Sequence, residues 1–165
     1  MYVKEMANPK SAMIFGYISA SEGPMDFEWV QLQCTDASGK KEYFTSRADE
    51  EGMFYAENLP LGEYQIYRLG RGNSPMGPNV VGGNGVFWHL GEERNATTTR
   101  VKKPGMLYLG SFKYTYIEPK SFFGNSSFSF DRVNSPPEKE LLLRILKYTK
   151  ETRWEESVKS RLAEL

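Results

Sequence analysis

Cysteine and histidine are almost missing from this chain: Cys34 and His89 are the only ones in 165 residues. One cysteine leaves no internal disulfide and no thiolate cluster, and one imidazole cannot build a histidine metal site. Apolar runs are short, none near the ~20 residues of a membrane-spanning helix. Met1–Lys10 has no apolar core of the signal-peptide kind, although a start just after a cleaved signal has the same appearance. Excess charge is missing too, since 21 Lys and Arg balance 21 Asp and Glu. Nucleic acid, anionic bilayers and polyanionic substrates reward a basic field, and the total supplies none. The last 30 residues hold seven basic and six acidic side chains, a solvated helix surface rather than a DNA-reading one.

What is abundant is aromatic. Ten Tyr and ten Phe favour strands over helices. From Ser11 to about Val133, apolar alternation is broken by turn residues every 8 to 12 positions, the pattern of an antiparallel sandwich. Strands are expected at Met13–Ser19, Glu28–Thr35, Lys41–Arg47, Met53–Asn58, Glu63–Leu69, Val86–Leu90, Ala96–Lys102, Met106–Ile117 and Phe122–Val133. Ser38-Gly39 and Glu51-Gly52 supply early turns. Within Met106–Ile117 the phase changes: Leu107 and Leu109 share one parity, Phe112, Tyr114 and Tyr116 the other. A bulge at Gly110 absorbs the odd residue.

Helical periodicity begins only after residue 134. Ser135-Pro136-Pro137-Glu138 reads as a capping box with a proline start, followed by the stripe Leu141, Leu142, Ile145 and Leu146. Thr152 to Glu155 reads as a second capping box, with Trp154, Val158, Leu162 and Leu165 on one face. The expected fold class is therefore mainly β: an antiparallel β-sandwich with two short C-terminal helices packed on it. Residues 1–11 are expected to be a flexible lead-in, 12–133 the sandwich, and 134–165 a helical segment of the same domain.

No catalytic or cofactor motif is complete in the sequence. Residues 70–85 contain six Gly and two Pro, but Gly70-Arg71-Gly72 lacks the third glycine of a dinucleotide fingerprint and no Gly-Lys-Ser/Thr follows. Strands flank that loop, so no helix N-terminus is available for an anion. His89 has no nucleophile elbow to serve and no carboxylate at ligand spacing. Asp49, Glu50 and Glu51 lack calcium-loop spacing and read as a solvated turn. Cys34, in the alternating Trp29–Cys34, reads as a buried thiol. No catalytic residue, cofactor or metal is expected. The expected binding surface is aromatic and loop-based: Trp88, His89, Tyr108, Tyr114 and Tyr116, beside the Gly70–Gly85 loop. Its partner would be a protein or glycan of a cell envelope, with no nucleic acid and no transmembrane segment.

In Gly52-Met53-Phe54…Leu59-Pro60-Leu61-Gly62-Glu63-Tyr64-Gln65-Ile66, Phe54 enters a core, a Pro/Gly turn reverses the chain, and Tyr64 and Ile66 return to the same face. This pattern, with Ile14-Phe15-Gly16-Tyr17-Ile18, resembles the carboxypeptidase regulatory-like (prealbumin-like) β-sandwich domains over residues 12 to 70. Val101–Gly105 with Leu107–Gly110 also looks like strands of bacterial envelope lipoproteins of unknown role. The resemblance implies a non-enzymatic accessory module that is exported, periplasmic or surface-anchored, a cytoplasmic location remaining open. A carbohydrate-binding module is the alternative. Hydrolases of the transthyretin-related group share the architecture, but they use several histidines and a C-terminal Tyr-Arg-Gly-Ser. The nearest string here, Tyr67-Arg68-Leu69-Gly70, lies mid-chain, which makes a hydrolase the weakest expectation.

Overall fold

The computed structural model describes residues 3–22, 27–72, 86–90, 95–117 and 127–165, with the backbone alone for 20–22, 86–89, 116–117 and 127–128. Among the described residues, nine strands and two helices follow in chain order. The strands are β1 (Ala12–Glu22), β2 (Trp29–Thr35), β3 (Lys41–Arg47), β4 (Met53–Leu59), β5 (Gly62–Arg71), β6 (Val86–His89), β7 (Thr99–Val101), β8 (Gly105–Ile117) and β9 (Ser127–Val133). The helices are α1 (Glu138–Tyr148) and α2 (Trp154–Ala163). One sheet has the order β4-β1-β8-β9; the other runs β3-β2-β5-β6, with β7 on the same edge of β5. The pairing is antiparallel except between β1 and β8, which run parallel. The sandwich is therefore mainly β as expected, with one mixed sheet.

Two cores share the first sheet. Ile14, Ile18, Phe54, Leu109, Phe112 and Tyr114 meet Val30, Leu32, Cys34, Tyr64, Ile66 and Leu69 of the second sheet. On the opposite face, Met13, Phe15, Met53 and Tyr55 pack against Leu141, Leu142, Ile145, Trp154 and Val158 of the helices. This double burial explains why β1 reads as the continuous apolar run Ala-Met-Ile-Phe rather than alternating. The layers are helices, mixed sheet, antiparallel sheet.

The bulge falls where the phase change placed it. Phe15 pairs with Tyr108 and Gly16 with Gly110, so Leu109 is the extra residue. Gly110 adopts φ 132°, a conformation that glycine reaches without steric cost. Gly39 and Gly52 also take positive φ in their turns. Phe54, Leu59, Tyr64 and Ile66 join one core, and the Tyr64 hydroxyl donates to the Pro60 carbonyl at 2.7 Å. Cys34 is buried there, and burial raises its thiol pKa.

Several local expectations were altered by tertiary contacts. The lead-in is anchored: Val3 is fully buried in the helix-side core, Ala7 N–H donates to Asn58 Oδ1 at 2.7 Å, and Arg153 N–H donates to Glu5 Oε1 at 3.0 Å. The seventh strand is shorter than expected, because residues 95–97 form a 3₁₀ turn whose Thr97 Oγ1 accepts Ile66 N–H at 2.8 Å. Neither capping box forms. Helix α1 starts at Glu138 with no side-chain cap, while Ser111 Oγ donates to the Pro136 carbonyl at 2.6 Å and holds the entry to β8. Before α2, Thr152 Oγ1 donates back to the Thr149 carbonyl at 2.7 Å, and Glu155 accepts Glu151 N–H at 3.0 Å. A forked pair from Arg161 to Glu138, at 2.7 and 3.1 Å, joins the two helices.

Candidate binding face

The outer surface of the antiparallel sheet is built by alternation. Along β2, Val30, Leu32 and Cys34 point into the core, which turns Trp29, Gln31 and Gln33 outward. Register then brings Gln33 between Tyr43 of β3 and Gln65 of β5, and Gln31 between Thr45 and Arg68. A bulge in β5 opposite Gln31 and Leu32 sets Tyr67 beside Arg68. Two polar rows result, crossing three strands.

In the first row Gln65 Nε2 donates to Gln33 Oε1 at 2.8 Å, and Gln33 Nε2 donates to Tyr43 Oη at 2.8 Å. In the second, Arg68 Nε donates to Gln31 Oε1 at 2.8 Å, and Gln31 Nε2 donates to Thr45 Oγ1 at 3.1 Å. The Tyr43 and Tyr67 rings meet across β2, centroids 5.0 Å apart and planes tilted by 58°. The Arg68 guanidinium lies 5.7 Å from the Tyr67 ring centroid. Gln31 and Gln33 are only 1% and 2% exposed although they face away from the core. The ring pair that spans their strand accounts for part of that cover. A buried amide is costly without partners, and each glutamine here uses both its oxygen and its nitrogen. Burial lowers the Arg68 pKa.

Further along β2, the Trp29 indole lies over Gly70, where a Cβ would collide with its ring. Its Nε1 is buried without a hydrogen-bond partner. Tyr43 and Tyr67 are half-buried, Thr45 is exposed, and Lys41 and Arg47 extend from the same side of β3 into solvent.

The residues expected to bind fall elsewhere. Tyr114 corrects that expectation, and Tyr108 lies on the helix side of the sheet. Tyr108 is half-buried on the helix side, stacked on Phe15 at 5.5 Å, with its hydroxyl 2.8 Å from Ser111 Oγ. Tyr114 is 6% exposed between the sheets. They share sequence parity, yet the Gly110 bulge sends them to opposite faces, and both faces of that sheet are covered there. Backbone register sets Trp88 opposite Leu69 and His89 opposite Arg68. The side chains of Trp88, His89 and Tyr116, and residues 73–85 of the glycine-rich loop, lie outside the described residues. Tyr43 and Tyr67 were missed, although Gln-x-Gln in β2 and Tyr-x-Thr in β3 are the alternation that marks an outward face.

Among the described residues no three potential metal ligands come together, and no helix is long and apolar enough to cross a membrane. An open cleft of about 610 Å³ lies between the Asp49–Glu51 turn and the end of α1. Two of its three acids have structural work: Asp49 Oδ1 accepts Glu51 N–H at 3.1 Å and Met53 N–H at 2.8 Å, and Glu51 pairs with Arg144.

No protein-family model matches the chain, and no curated protein does. A solved structure of a DUF3823 family protein from Parabacteroides merdae is similar at 21% identity with a TM-score of 0.32, over 76% of this chain. The match spans 60% of that protein's length.

Proposed function

We propose that the chain is a non-catalytic binding module of an exported or lipid-anchored bacterial envelope protein, and that it binds through the outer face of the β3-β2-β5 sheet. The single observation behind this reading is the ring pair of Tyr43 and Tyr67, held half-buried over a hydrogen-bonded amide ladder. A sheet face left only to solvent needs no such construction. Rings fixed in place lose little entropy on contact, which is what a recognition surface requires. The envelope location rests on the Gly-x-Phe…Leu-Pro-x-Gly-x-Tyr resemblance to carboxypeptidase regulatory-like domains. Catalysis at neutral pH requires a tunable acid or base, an activated nucleophile or a metal. The sequence offers one histidine and one cysteine, and the cysteine is buried with a raised pKa.

The test immobilises the full chain and exposes it to bacterial envelope fractions. Retention is expected for the wild type, loss for Tyr43→Ala/Tyr67→Ala, and no change for Leu143→Ser on exposed α1. Equal retention of the wild type and both variants overturns the reading, as does turnover in a broad hydrolase screen that disappears in a folded His89→Ala variant.

A further inference from the structure

The balanced total charge conceals a local imbalance on this face. Outward from β3 stand Lys41, Tyr43, Thr45 and Arg47 in alternation. Lys41 and Arg47 are exposed and make no ion pair with any described residue. Glu63, on β5, is held by Arg100 at 3.3 Å, and Glu28 is held by Arg71 at 3.3 Å. Among the described residues, the unpaired charges that β3 turns to this face are therefore both positive, with Arg47 also bordering the cleft lined by Asp49, Glu50 and Glu51. They bracket the ring pair from the two ends of one strand.

The groups between them have capacity left. Tyr43 Oη and Thr45 Oγ1 accept hydrogen bonds from glutamines, which leaves each hydroxyl proton free to donate. Gln65 spends its nitrogen on Gln33, leaving Oε1 as an acceptor. Ring faces with hydroxyl donors and an amide acceptor suit a sugar ring, whose C–H face packs on an aromatic while its hydroxyls are read at the edge. Cations at both ends add a demand for negative charge.

We infer that the ligand of this face is an acidic glycan, a carboxylate-bearing sugar chain that lies along β3, with sugars on Tyr43 and Tyr67 and carboxylates toward Lys41 and Arg47. This rests on the proposed binding role of the face and specifies its ligand class.

The experiment measures binding of the full chain to polygalacturonate, to its methyl ester, and to polyglutamate, by calorimetry or affinity electrophoresis. The ester keeps the sugar and removes the charge; polyglutamate keeps the charge and removes the sugar. Polygalacturonate is expected to bind at least tenfold more tightly than either. Its binding is expected to weaken several-fold between low and 0.5 M salt, because exposed charges are screened. Lys41→Gln/Arg47→Gln, away from both cores, should abolish the preference over the ester. Tyr43→Phe should weaken binding by removing one donor, and Tyr43→Ala/Tyr67→Ala should remove it, with folding verified by circular dichroism. Equal binding of the ester overturns the acidic part, and equal binding of polyglutamate overturns the glycan part. If no polymer binds while envelope retention still depends on Tyr43 and Tyr67, the ligand class is wrong and the binding face stands. If retention ignores those tyrosines, the binding face itself is wrong.

Discussion

The two sheets turn very different outer faces away from their shared core. Behind the mixed sheet, Met13, Phe15, Met53 and Tyr55 are covered by two helices and by Val3 of the N-terminal segment. Behind the antiparallel sheet, Gln31, Gln33 and Arg68 are buried in a ladder of their own hydrogen bonds, with two half-buried tyrosines over them. The first face excludes water by apolar area, the dominant favourable term in folding. The second recovers little net energy, because its hydrogen bonds replace bonds to water. One face holds the molecule together, and the other holds side chains in position.

The sharpest way to break this comparison is to remove the helices. A chain ending at Ser135 leaves the Met13, Phe15, Met53 and Tyr55 side uncovered, so loss of the cooperative thermal transition and strong binding of a hydrophobic dye are expected. Unchanged melting would make the helices an appendage. Trp154→Ala is the graded version. A fully buried Trp replaced by Ala costs ~3–5 kcal/mol, to be read from urea unfolding.

Alkaline pH probes both cores together. Tyr55, on the helix side, and Tyr64, between the sheets, both have raised pKa values, chiefly because burial disfavours the phenolate. Their contribution is complete below the unfolded tyrosine pKa of ~10 and is lost as pH rises through the folded value. Over that window the unfolded chain binds fewer protons, so stability falls by about 1.4 kcal/mol per pH unit for each tyrosine. Denaturation midpoints at pH 9, 10 and 11 test the slope, and Tyr55→Phe should flatten it. A slope untouched by that substitution would break the assignment.

On the polar face the effects shrink. Gly70→Val drives a side chain into the Trp29 indole, an overpacking that costs ~1–3 kcal/mol. Tyr43→Ala removes one ring of the pair and should cost only ~0.5–1.5 kcal/mol, while abolishing envelope retention. If Tyr43→Ala destabilises as much as Trp154→Ala, the outer ladder is a structural core and the contrast between the faces fails.

Much of the architecture follows from local pattern. Period-two alternation placed the strands, and β3 matches residue for residue, because a half-buried strand must alternate. The parity change around Gly110 located the bulge for the same reason. Leu141, Leu142, Ile145, Trp154 and Val158 marked the buried helix faces, since 3.6-residue periodicity needs no partner to be visible. The two capping boxes failed for different reasons: Glu138 is taken by Arg161, 23 residues further on, whereas Thr152 and Glu155 bond within one turn, to Thr149 and Glu151.

The binding face was legible only in fragments. Gln31 and Gln33 announce an outward face of β2, and Tyr43 and Thr45 one of β3, but neither run says that the faces adjoin. Of the tyrosines expected on β8, Tyr114 is covered by the second sheet and Tyr108 is half-covered on the helix side, a property of layer order that no single strand encodes. The sequence by itself determined most of the strands, the bulge and the helix stripes short of Leu165, which is exposed, because each follows from one period over a few positions. Only the tertiary structure decided that β1 and β8 run parallel, that one sheet is covered on both sides, and that Tyr43 meets Tyr67 across β2. Those contacts join residues far apart in the chain, and their register depends on every strand between them.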